Sequence, residues 1–134
     1  MSVEVIYAKS GEKLAIILRA TASVLKTQFF SEEQDLLQIG LIATSKERGI
    51  PRHKHLEFKR SLFKTSEFIL VRVGSCNVKL QMLQDDEPIV VYLDVGDGIL
   101  LLDGIHGFDS LSEELQLLEI KQGPYAGDLD KEYL

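Results

Sequence analysis

Disulfide chemistry is absent from this 134-residue chain, because Cys76 is its one cysteine and has no internal partner. The opening stretch MSVEVIYAKSGEKLAIILRA lacks a charged segment followed by a long apolar one, so no secretory leader is expected and a cytoplasmic location is. Apolar runs are short as well. The longest, IVVYL and ILLL, fall far below the roughly 20 residues of a membrane-spanning helix, and no membrane span is expected. Proline is scarce at three residues, and no repeat, low-complexity tract or linker divides the chain. With 45% hydrophobic residues it can bury one sizeable core, so residues 1–134 are expected to form a single domain.

What is present is unevenly distributed. Net charge is −6, yet residues 46–64 hold seven Lys or Arg against two acids, whereas residues 85–134 hold thirteen acids against two lysines. Most of that surface would repel a nucleic-acid backbone, so no nucleic-acid partner is expected. A local basic stretch suits a small anionic ligand better, and its bland alternative is a solvated hairpin.

Short apolar segments recur at close spacing: EVIYA, KLAIIL, LLQIGLIA, RHKHLEF, EFILVRV, NVKLQML, IVVYLDV, GILLL and LQLLEIK. Turn chemistry separates them at DDEP, at Gly74-Ser75 and at VGDG. Nine short strands in one small domain predict an all-β sandwich or barrel. Helical signals are weak, confined to TASVLK and to SEEQ, where Ser31 and Gln34 have capping-box spacing.

Histidine is also rare, which makes its placement informative. Two of the three histidines, His53 and His55, sit two apart in GIPRHKHLEF. In a strand such residues share a face, their Cα atoms roughly 6.6 to 6.8 Å apart, and Arg52 and Lys54 take the opposite face. The same parity in EFILVRV groups Glu67 with Ile69, Val71 and Val73, so a carboxylate begins an otherwise apolar face. It must reach a mouth or a partner there, since burying an unpaired charge is costly.

His53-Lys54-His55, then Glu67 with Gly74 seven residues on, then Gly96-Asp97 leading through GILLLDGI to His106, resembles the two motifs of the cupin superfamily. The ending LLEIKQGPYAGDLDKEYL is similar to that of single-domain cupins from bacterial surface-polysaccharide clusters. GSCNVKL and LDVGDGILLLDGIHGFDSLS look more weakly like the cupin-type nucleotide-sugar ketoisomerases. The resemblance implies a small antiparallel β-barrel or jelly roll with one divalent transition metal (Zn, Mn, Fe, Ni or Co) inside. His53, His55, His106 and Glu67 would be its ligands, with Glu57 in reserve for the carboxylate. Imidazoles plus a carboxylate form a mixed site suited to such metals and able to polarise a substrate oxygen.

The function this implies is recognition or modification of a small sugar or sugar nucleotide in surface-polysaccharide synthesis. Two alternatives stand beside it. One is a metal-independent 3,4-ketoisomerase using the histidine pair as acid and base. The other is a non-enzymatic sensor or ligand-binding cupin. Lys59, Arg60 and Lys64, in the expected hairpin between His55 and Glu67, are candidates to bind an anionic part of the ligand. Exposed edges and the resemblance together favour a homodimer.

Other residues receive plainer readings. Tyr125 in GPYAG is expected to anchor the C-terminal tail on the barrel. Cys76 has no neighbouring histidine and is not expected to be a nucleophile. Asp97 after Gly96 reads as a turn former, and Lys121 is left between mouth and surface.

Overall fold

The computed structural model describes residues 2–134, and most of its strands fall on the apolar segments. They are β1 (Val3–Tyr7), β2 (Lys13–Leu18), β3 (Gln28–Phe29), β4 (Gly40–Leu41), β5 (Glu67–Val73), β6 (Cys76–Gln81), β7 (Ile89–Leu93), β8 (Gly98–Leu101), β9 (Ile105–Ser110) and β10 (Gln116–Lys121). A three-residue 3-10 turn at Gly127–Leu129 is the only helical element among the described residues. A large sheet has the order β1-β2-β8-β5-β10, a small sheet the order β7-β6-β9, and β3-β4 stand apart as a two-stranded ribbon.

Alternation decides which faces meet. Cys76, Val78 and Leu80 of β6 and Val91 and Leu93 of β7 turn to one side, while Asn77, Lys79, Val90 and Tyr92 turn away. They form one core with Ile69 and Val71 of β5, Ala15 and Ile17 of β2, and Ile99 and Leu101 of β8. The strand β2 does not alternate, and the reason is a further layer. Ile16 and its register partner Leu100 are fully buried yet lie outside that core. On their side the 20–43 excursion is tied down by Lys13 Nζ to Asp35 Oδ2 at 2.7 Å and by Gln122 Nε2 to the Leu36 carbonyl at 3.4 Å.

The turn between β5 and β6 shows why its glycine is needed. Gly74 has φ +83°, and a Cβ there would collide with the Glu114 carbonyl and Ser112 Oγ. At the start of β8, Asp97 is more than the turn former expected of a Gly-Asp pair. Its carboxylate accepts from Ala20 N at 2.8 Å, Asp94 N at 2.9 Å and Arg19 Nη1 at 3.2 Å. Burial pushes its pKa up, but these hydrogen bonds outweigh it and leave it below the ordinary aspartate value.

Two expectations are corrected here. RHKHLEF forms no strand, for residues 50–63 have no regular structure and every residue from 44 to 65 is exposed. Among the described residues the small sheet therefore ends at β9 with an unpaired edge, and no strand ladder joins it to the large sheet. A closed barrel needs every edge paired. The architecture is all-β as expected, but its sheets are open rather than a closed barrel or jelly roll. The cupin identification falls with the barrel that defined it.

Candidate acid–base cleft

The apolar core stops at one end of the two large faces, and the strands that carry it continue with ionisable residues. In β5 the inward series Val71, Ile69 reaches Glu67. In β10 the series that begins with Leu117, packed on the core, proceeds to Glu119 and Lys121, and Lys121 pairs in register with Glu67. In β9 Phe108, packed on the core, is preceded on the same face by His106. Three strands thus deliver two carboxyls, an imidazole and an ammonium to one cleft of about 680 Å³.

Contact between them is direct. His106 Nε2 donates to Glu67 Oε1 at 2.7 Å, and the Glu67 side chain is only 12% exposed. Hydrogen bonding to His106, opposed by burial and helped by Glu119 and Lys121, holds the Glu67 carboxyl down at about 2. The hydrogen bond with Glu67, together with burial, pushes Glu119 the other way, above the ordinary glutamate value. The pair thus titrates as a coupled unit, with one carboxyl pushed down and the other up. Lys121 Nζ lies 4.0 Å from Glu119 Oε1 and 3.0 Å from Asp130 Oδ2. Asp130 also accepts from Thr65 Oγ1 at 2.9 Å, which fastens the C-terminal tail along the cleft.

The residues singled out in the sequence divide between two places. Glu67 and His106 meet in the cleft, and Lys64 stands at its wall, bonded to Asp103 Oδ2 at 3.1 Å. His53, His55, Glu57, Lys59 and Arg60 lie on the exposed 50–63 arm and do not line the cleft. On that arm the His53 and His55 rings are 5.3 Å apart, His53 Nδ1 is 2.9 Å from the Pro51 carbonyl, and Arg60 stacks 3.7 Å above the Phe58 ring. Tyr125 is 91% exposed, so it does not anchor the tail as expected; Asp130 does. Cys76 is fully buried, and burial pushes its thiol up, away from nucleophilic use.

The chain matches no protein-family model, no curated protein and no solved structure. Its function therefore rests on the cleft alone.

The function expected from the resemblance, a metal inside a barrel serving sugar or sugar-nucleotide chemistry, is overturned. No barrel exists, and among the described residues no group of three or more His, Cys, Asp or Glu is placed to hold a metal ion. Its two alternatives, both framed on the same barrel, go with it. Among the described residues no helix is long and apolar enough to cross a membrane.

Glu119 and Asp130 were not singled out in the sequence. For Glu119 a signal existed, since it shares strand parity with Lys121 and with the apolar Leu117. Asp130 gave none, because its role depends on a contact with Thr65, 65 positions away in the chain.

Proposed function

We propose that the protein binds a small polar molecule in the end cleft and exchanges a proton with it through His106, backed by Glu67. The observation that carries this reading is the 2.7 Å Glu67–His106 contact, in a cleft that Glu119 also lines. An ionised Glu67 fixes the proton of a neutral imidazole on Nε2 and leaves Nδ1 as the accepting atom. When Nδ1 takes a proton, the imidazolium is held by the carboxylate already beside it. The bond with Glu67 and burial raise Glu119 above the ordinary glutamate value, and Lys121 offers a positive donor in the same cleft.

Lining charge supports one class of ligand over another. Carboxylates from Glu67, Asp103, Glu119, Asp130 and Glu132 outnumber the ammonium groups of Lys64, Lys121 and Lys131. An uncharged or cationic polar molecule fits such a cleft better than an anion does.

A screen of small polar compounds by amide NMR tests this. Ligands should shift resonances of β9, β10 and the start of β5, and binding should fall at least tenfold in His106→Ala and in Glu67→Gln. Ligands that shift other regions, or that bind both variants as well as wild type, would overturn it.

A further inference from the structure

We infer that the 50–63 arm is exchanged between two copies of this chain, each arm adding as a strand to the free edge of β9 in the other. Three independent features of the molecule lead there. The first is the arm's own condition. No hydrogen bond joins residues 50–63 to the rest of the described chain, and Ile50, Leu56, Phe58 and Phe63 are 58%, 77%, 65% and 90% exposed. A segment without regular structure that leaves five large apolar residues in solvent presents a surface for a partner to cover.

The second feature is the unpaired edge. Among the described residues β9 pairs only with β6, so its outer row of N–H and C=O groups is open along six residues, about 20 Å. The arm's fourteen residues span roughly 45 Å when extended, enough to cover that edge and leave a connection. Its root stands beside the start of β9, for Lys64 bonds Asp103 and Phe63 lines the cleft with Gly104, Ile105 and His106. The other free edge of the small sheet, β7, has no such contact with the root.

The third feature is charge. The arm and its flanks, residues 46–64, carry seven Lys or Arg against two acids. The half of the chain that holds β9 is strongly acidic, with Glu113 and Glu114 just past that strand, while Asp103 and Asp109 beside it pair with Lys64 and Lys79 of the same chain. Main-chain pairing supplies affinity and opposite charge supplies choice of partner, the combination typical of strand addition. Reciprocal exchange closes a two-fold dimer with no edge left over at β9, and it lays a basic arm from the second copy along the wall that carries His106. This interface is independent of whether the cleft transfers protons.

Light scattering on the full chain tests the proposal, joined with hydrogen exchange. The wild type should have twice the 15.1 kDa mass of one chain. Leu56→Asp together with Phe58→Asp, both at exposed positions, should leave the body folded by circular dichroism and raise the dimer dissociation constant at least about 100-fold. In wild type, amides in 50–58 and those of β9 not bonded to β6 should exchange slowly, and in the double variant both sets should exchange fast. A monomeric wild type, a dimer of unchanged affinity in the double variant, or fast exchange at β9 in the wild-type dimer would each overturn it.

Discussion

Asp97 and Glu67 stand at opposite ends of β8, one just before its first residue and the other paired with its last, Leu101. Both carboxyls titrate below their ordinary values, for different reasons. Against the push of burial, Asp97 is held down by two backbone N–H groups and a guanidinium, partners that do not change protonation near neutral pH. Glu67 is held chiefly by an imidazole, and its other close partner is a carboxyl. A depressed pKa alone does not separate a structural carboxylate from a functional one. The partners do, because only titratable ones pass a proton on.

The largest effect expected from breaking this comparison is at the fixed end. Asp97→Ala strands Ala20 N, Asp94 N and the Arg19 guanidinium, and should cost about 3 kcal/mol in urea unfolding. The same variant should leave the titration of Glu67 unchanged. A cost below about 1 kcal/mol would mean that these hydrogen bonds are replaced by water.

A smaller effect belongs to the titratable end and depends on pH. Glu67 has its folded pKa lowered from 4.5 to about 2, so the stability it contributes is fully present above 4.5 and is lost as pH falls through 2. Glu119 is raised, so its contribution has the opposite sign, present below its unfolded value and lost as pH rises through its folded one. The two partly cancel, and the pair should leave a net loss of stability on the acid side. His106→Ala should flatten the melting temperature profile between pH 4.5 and 2. A profile as steep as that of wild type would show that Glu67 is not held by the imidazole.

Two variants of the tail sharpen the contrast between bonded and merely neighbouring residues. Asp130→Ala removes the acceptor for Thr65 and Lys121 and should speed proteolytic cleavage after residue 125 without moving the global unfolding midpoint. Tyr125→Ala should change stability by less than about 0.5 kcal/mol, since the ring is in solvent. A larger loss would restore the ring as an anchor.

How much of this was legible in the sequence follows from where each signal resides. KLAIIL and EFILVRV match β2 and β5 residue for residue, because a short β-branched run bounded by polar residues carries its own strand signal. The strand IHGFDS, which bears His106, gave none. Its glycine and polar residues hold a strand only through pairing with β6. The reverse holds for RHKHLEF, whose alternation is strand-like but whose chain offers it no neighbour. Parity placed Glu67 at the end of an apolar face, and the fold supplied His106 as the partner it required. LLQIGLIA shortened to Gly40–Leu41 because its excursion is held by side-chain anchors more than by a ladder.

Carboxyl-carbon NMR titration of Glu67 and Glu119, in wild type and in His106→Ala, bears most directly on the claim that the end cleft is a coupled proton-exchange site. In wild type, Glu67 should titrate at about 2 and Glu119 above the ordinary glutamate value, and in His106→Ala the Glu67 midpoint should move up toward 4.5. A wild-type Glu67 that titrates near 4.5, or one unmoved by loss of the imidazole, would contradict the account.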